Sequence, residues 1–190
     1  MTQEMEVLEA WRKREEEIRG AYGDPRGRFG VAGIEQVAGK SGLQMFEDMF
    51  SGALPMPPIC ETLDFLAVEI EKGRAVFQGR PQFRHYNPMG SVHGGWFATL
   101  LDSAVGCAVH AALPAGKAYT TLELKVNMLR ALTDKVPLVR AEGKVVHLGG
   151  QTAIAEGRIY DAAGKLYGHA TTTCLIFDFP AGGKQERPSK

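Results

Sequence analysis

Residues 95–112, GWFATLLDSAVGCAVHAA, carry apolar groups on almost every side of a helix. Trp96, Phe97, Leu100, Leu101, Ala104, Val105, Ala108 and Val109 leave no wide polar face, so such a helix has to be buried. Asp102 stands in its middle. An ionised carboxylate in an apolar helix is costly unless something pairs with it or uses it. The stretch before it, Asn87 to Gly95, is a loop by composition, with Asn-Pro, Gly90 and then Gly94-Gly95.

The two glycines fall at the helix start. The first backbone N–H groups of a helix have no intrahelical partner, the macrodipole adds partial positive charge there, and glycine lets a ligand approach closely. One segment therefore offers a donor for a developing negative charge and, two turns later, a carboxylate. Gly94 and Asp102 are eight residues apart, roughly 12 Å along a helix axis, whereas a reacting atom must lie about 3 Å from both. An antiparallel copy of the helix would bring its Asp102 beside this Gly94. If both groups do chemistry, the spacing predicts a homodimer with sites at its interface, with room for a further pairing into a dimer of dimers.

The rest of the chain supplies a scaffold. Residues 3–19 favour a charged helix with a thin apolar stripe of Val7, Leu8, Trp11 and Ile18, expected as a solvated peripheral helix. Residues 20–42 are glycine-rich and irregular, so 1–42 is an N-terminal arm. Residues 43–179 form the domain. A short helix at 43–50 and an extended proline-rich segment at 51–58 lead into a strand at 62–71, a turn at 71–74 and a strand at 75–80. After the helix, ended by Leu113-Pro114-Ala115-Gly116, strands are expected at 119–129, 136–148, 151–160 and 166–179. In the first of these Leu122, Leu124, Val126 and Met128 alternate with polar residues, which predicts one buried face. Residues 180–190 are a polar, frayed tail. Two strands, one buried helix and four consecutive strands indicate an α+β fold, a mostly antiparallel sheet wrapped around one central helix.

Composition bounds the function. Twenty-two basic against 22 acidic residues give no net charge, which argues against bulk attraction to nucleic acid or an anionic membrane. No run reaches the roughly 20 apolar residues of a membrane span, and no signal peptide is visible. Three widely spaced cysteines, Cys60, Cys107 and Cys174, fit reduced thiols in a cytoplasmic protein. His85, His110, His147 and His169 have no metal-ligand spacing, so no metal is expected. Ser103 is adjacent to Asp102 on the helix and does not face it, which disfavours a Ser-His-Asp triad.

Asn87, Gly90, His93-Gly94-Gly95 and Asp102, followed by Thr121-Leu122-Glu123-Leu124-Lys125-Val126-Asn127, resemble hotdog-fold acyl-CoA thioesterases of the phenylacetic-acid-degradation (PaaI-like) type. Leu54-Pro55-Met56-Pro57-Pro58 and Ala170-Thr171-Thr172-Thr173 share that likeness, which spans roughly residues 43 to 178. The resemblance implies thioester hydrolysis with no metal or organic cofactor, coenzyme A being part of the substrate. It implies that Asp102 is general base or nucleophile and that the Gly94 N–H polarises the thioester carbonyl. Asn87 would help hold water or the carbonyl, and His93 would orient the loop. Gly95, Ser103, Gly106 and the turn Gly149-Gly150-Gln151 are the expected substrate contacts. That turn lacks the basic residue of many relatives, so a phosphate contact is left to Arg130, Arg140, Lys144 or Arg158. Two other functions fit the same elements: a hotdog hydratase or dehydratase using His93 and Asp102, and a non-catalytic acyl-CoA-binding protein.

Overall fold

The computed structural model describes residues 2–22 and 28–179; the expected tail at 180–190 lies outside them. Helices α1 (Gln3–Gly20), α2 (Ile34–Val37), α3 (Gly42–Phe50) and α4 (Pro58–Leu63) precede strands β1 (Phe65–Glu71) and β2 (Arg74–Gly79). Helix α5 (Gly94–Ala112) follows, then β3 (Lys117–Met128), β4 (Val139–Leu148), β5 (Thr152–Asp161) and β6 (Leu166–Asp178). The six strands form one sheet in the order β1-β2-β4-β5-β6-β3, every pair antiparallel.

The sheet curls around α5, as its apolar circumference requires. Leu100, Leu101, Ala104, Val105, Ala108 and Val109 are fully buried, together with Ala75, Val139, Ala141 and Ile159 from the strands. The helix lies so close to the sheet that a Cβ at Gly143 would run into the Ala104 carbonyl. Helix α3 closes the C-terminal end of α5: the Gly42 N–H donates to Leu113 O at 3.2 Å, and Phe46 meets His110 edge-on at 5.9 Å. Among the described residues no helix is long and apolar enough to cross a membrane.

Helix α1 is not the solvated peripheral helix its charges suggest. It lies on the outer face of the sheet over β1 and β2, with Trp11, Glu15 and Ile18 buried. Ile18 and Tyr22 pack with Leu66, Val68 and Val76. The Trp11 ring takes the Arg140 guanidinium at 4.6 Å and the edge of Tyr160 at 6.0 Å. Gln78 donates to Trp11 O at 3.2 Å and to Glu15 at 2.9 Å, and itself accepts from Arg140 at 3.1 Å. Each large apolar group buried here contributes about 1.5–3 kcal/mol, against at most about 1 kcal/mol for exposed pairs such as Arg12–Glu9. The three buried positions 11, 15 and 18 thus dock the helix, and the charges rim it.

Two other boundaries differ from expectation. Thr62 and Leu63 close α4, and Asp64 in the left-handed conformation (φ 50°) ends it, so β1 begins at Phe65. Pro58 starts that helix where a proline costs nothing. Val136 to Leu138 precede β4 as a turn and short approach.

The larger departure is in β3. A bulge between Thr121 and Glu123 interrupts its pairing with β6. The extra residue reverses the alternation. Tyr119 and Thr121 face α5 before it and Leu124 and Val126 after it, while Leu122 is turned out, 58% exposed.

Candidate active site

The loop before α5 is built around Asn87. Its Oδ1 accepts from the N–H of Met89 at 2.9 Å and of Ser91 at 3.4 Å, and its Nδ2 donates to Ser91 Oγ at 3.2 Å. Asn87 N–H donates to Ser91 O at 2.8 Å, and Gly90 turns the chain at φ 81°. This is the Asx-type turn an Asn-Pro sequence favours. Asn87 therefore shapes the loop, with one amide hydrogen left over for a ligand.

His93 caps the helix. Its N–H donates to His85 O at 2.7 Å, and its ring Nδ1 accepts from the Gly95 N–H at 2.8 Å. Trp96 anchors the first turn by donating from Nε1 to Leu63 O at 2.9 Å, and stacks on buried His85 at 5.7 Å. With Gly95 satisfied by its neighbour, no acceptor among the described residues takes the Gly94 N–H. Met128, at the end of β3, lies over Gly94; a Cβ there would sit 2.8 Å from its sulfur. Asn87, Gly94, Phe97, Met128 and Arg130 line a cavity of about 270 Å³.

Asp102 is half-buried on the one stripe of α5 that the sheet leaves partly open, with Gly95, Thr99, Ser103, Cys107 and His110. Thr121 donates its hydroxyl to Asp102 Oδ1 at 3.1 Å. Thr121 escaped sequence reasoning because strict alternation turned it outward; the bulge turns it in. A polar residue facing a lone helical carboxylate was the available signal. Ser103 hydrogen-bonds back to Thr99 O at 2.9 Å, away from Asp102. The space in front of Gly106 is occupied by the Tyr119 ring, whose hydroxyl would lie 2.8 Å from a Cβ there.

Burial sets the protonation of the groups around this stripe. Burial pushes the Cys107 and Cys60 thiols up to about 12 and raises that of Cys174, so none is poised as a thiolate. Burial likewise lowers the pKa of His110, which stays neutral near pH 7. Burial, and then the neighbouring thiol of Cys107 and the charge of Asp102, raise that of Tyr119. Among the described residues no group of three or more His, Cys, Asp or Glu side chains could hold a metal.

Not all expected contacts meet in one chain. The β4–β5 turn lies at the far end of the sheet, where Gln151 O accepts from Ile176 N–H at 2.8 Å and Gly149 N–H donates to Thr152 O at 2.8 Å. Thr152 pairs with Leu175, and Leu175 with Thr120. Eight residues of β3 separate Thr120 from Met128 over Gly94, roughly 26 Å of strand. Gly149, Gly150 and Gln151 therefore cannot serve the Gly94 cavity of their own chain.

Residues 89–167 match the thioesterase superfamily. A 1,4-dihydroxy-2-naphthoyl-CoA hydrolase of Listeria monocytogenes is 29% identical over 106 residues, 56% of this chain and 85% of the relative. A protein of Saccharolobus solfataricus named as an esterase is 34% identical over 127 residues, 65% of this chain and 84% of the relative. Among solved structures, a phenylacetic acid degradation-related protein of Ralstonia eutropha JMP134 superposes with a TM-score of 0.63 at 27% identity, covering 68% of this chain and 98% of that one. The sheet-wrapped helix is thus the hotdog fold, and the chain belongs to the thioesterase superfamily as a thioester hydrolase.

Proposed function

We propose that the chain hydrolyses acyl-coenzyme A thioesters to a free acid and coenzyme A, at sites shared by two antiparallel copies of α5. The observation that carries this reading is the placement of Asp102. It is hydrogen-bonded by Thr121 on the half-open stripe of α5, yet roughly 12 Å along the helix from the unpartnered Gly94 N–H. One chain cannot present both to one carbonyl; a second copy can. The likeness to a hydrolase whose name contains a CoA thioester supports the substrate class.

In this reading Asp102 is the general base. Thr121 occupies Oδ1, which leaves Oδ2 to accept a proton from water. The water oxygen bonds to the carbonyl carbon, the C=O electron pair moves onto oxygen, and the Gly94 N–H of the other copy stabilises that oxyanion. Collapse of the tetrahedral intermediate breaks the C–S bond, and the departing sulfur takes the proton held by Asp102. His93 holds the helix start by accepting from Gly95, and Asn87 holds the loop. Gly95 and Ser103 line the open stripe along which substrate lies, Gly106 is shut off from it by the Tyr119 ring, and Gly149, Gly150 and Gln151 contact coenzyme A from another copy. No metal or organic cofactor takes part in these steps.

Thiol release measured across aryl-, short-, medium- and long-chain acyl-CoAs tests the reaction, and light scattering at assay concentration tests the assembly. Absence of release from the whole panel alongside tight acyl-CoA binding would leave a binding protein. A fully active monomer would end the shared-site reading.

A further inference from the structure

The structure separates the four cations that the sequence leaves as candidates for coenzyme A contact. Arg140 is buried beneath Trp11 and held by Gln78 and Glu69. Lys144 and Arg158 stand on the outer face of the sheet around Glu142, at 3.4 and 3.9 Å, on the side away from α5. Of the four, Arg130 alone shares a cavity with Gly94 and Asn87. Its Nε donates to Leu166 O at 3.1 Å, which anchors the side chain, and it makes no ion pair among the described residues.

Length decides what Arg130 can meet. A sphere of 270 Å³ is about 8 Å across, and this cavity is open to solvent on one side, so it takes in only the first few groups of an arm leaving Gly94. Let the thioester carbonyl sit at the Gly94 N–H, as the proposed function has it. The first amide oxygen of the cysteamine arm is then five bonds from sulfur and the nearest phosphate thirteen. At about 1.25 Å of advance per bond these are roughly 6 Å and 16 Å. The phosphates fall outside the cavity and the amide falls within it. Of the two arms leaving the carbonyl carbon, only the thiol arm carries a hydrogen-bond acceptor in every coenzyme A thioester. We propose that Arg130 binds the carbonyl oxygen of the cysteamine amide, so that this cavity recognises the thiol half of the substrate close to the sulfur. Met128 and Phe97 wall the same space and pack against the two methylenes between sulfur and amide.

Three thioesters of one acyl group test this: butyryl-CoA, butyryl-N-acetylcysteamine, which keeps the amide and lacks the phosphates, and S-propyl thiobutyrate, which lacks both. In Arg130→Ala the preference for the N-acetylcysteamine ester over the propyl ester, as a ratio of kcat/KM, falls by about tenfold or more, the scale of a hydrogen bond to a charged group. The preference for butyryl-CoA over the N-acetylcysteamine ester stays as in wild type, and Arg130→Lys recovers part of the loss. A loss confined to butyryl-CoA would place Arg130 on the nucleotide and overturn the proposal. An equal loss on all three would do the same, since it acts on the acyl half or on the fold. The carbonyl assignment is read separately by Gly94→Pro on the propyl ester, which has no amide for Arg130 to bind.

Discussion

Thr121 reaches across from the sheet to Asp102 on the central helix, hydroxyl to Oδ1 at 3.1 Å. That contact exists because the bulge between Thr121 and Glu123 reverses the alternation of β3. It gives a carboxylate that would be costly in an apolar helix a hydrogen-bond donor on one oxygen, while the second oxygen has no partner among the described residues.

Asp102→Asn is expected to leave fold and assembly intact and to lower turnover by about 10² or more, the scale of a lost general base. The change is isosteric, and Thr121 can still donate to the amide oxygen. Steady-state turnover with circular dichroism and sizing checks it. Turnover near wild type in the folded variant removes Asp102 from the chemistry.

Thr121→Val keeps the shape of the side chain and removes the hydroxyl. We expect kcat to fall about tenfold with KM little changed, because a hydrogen bond to a charged group is worth about 1.5–3 kcal/mol and only part of it bears on orientation. Thr121→Ser should restore most of the rate. A change in KM alone, or failure of serine to rescue, would show that the methyl packing matters and the hydroxyl does not.

How far the sequence could be read follows from which patterns were local. The α5 segment announced itself through apolar residues all round and a glycine-proline stop, and the structure places it at Gly94–Ala112. Its loop was legible because Asn87 and Gly90 each have a conformational reason to be there and Gly94 a steric one, the close approach of Met128. Thr121 was not legible, since a bulge is decided by the fit of β3 to β6 and not by the composition of β3. The docking of α1 was hidden for a related reason. Trp11 and Ile18 form too thin a stripe to announce a buried face, and Glu15 becomes burial-compatible only when Arg19, Gln78 and Arg80 surround it.

Trp11→Ala should cost about 3 kcal/mol of stability, at the lower end for a large buried aromatic, because the ring is buried against Tyr160 and under Arg140. Equilibrium urea unfolding measures it. A loss below about 0.5 kcal/mol, the usual range for a surface position, would mean that α1 is not held on the sheet in solution.

Stability should fall on acidification from pH 7 to pH 5. Burial holds the pKa of both His85 and His110 below the usual 6.5, an effect the charge of Arg84 reinforces at His85. A depressed folded-state pKa means the folded protein binds fewer protons than the unfolded chain, so this contribution is present above the unfolded pKa and shrinks as pH falls through the folded one. His110→Gln should therefore flatten the dependence of Tm on pH between 7 and 5 relative to wild type. An unchanged slope would show that His110 is protonated alike in both states. Below that window Glu15 adds a loss of the same sign. Burial opposes its charge, but its bonds and attraction to Arg19, with Gln78 and Arg80, hold its pKa below 4.5.

The shared site makes a sharper demand, that two inactive variants rescue each other. Asp102→Asn lacks the carboxylate, and Gly94→Pro lacks the backbone N–H, since proline has none. The proline is tolerable at this place. Gly94 is the first residue of α5, where a missing N–H breaks no helical bond, and His93 at φ −63°, ψ 139° already has the extended conformation required before proline. A Cβ at this position meets the flexible end of Met128. In a mixed dimer one site combines both lesions, and the other joins a native Gly94 to a native Asp102. Random mixing gives about half heterodimers with one sound site of two, so about a quarter of wild-type activity should return. Co-expression with two different tags isolates the heterodimer, in which about half of wild-type activity per dimer is expected. If that heterodimer is folded and no more active than its parents, Gly94 and Asp102 do not meet across two copies, and the roughly 12 Å between them within one chain would have to be closed by some other donor near Asp102.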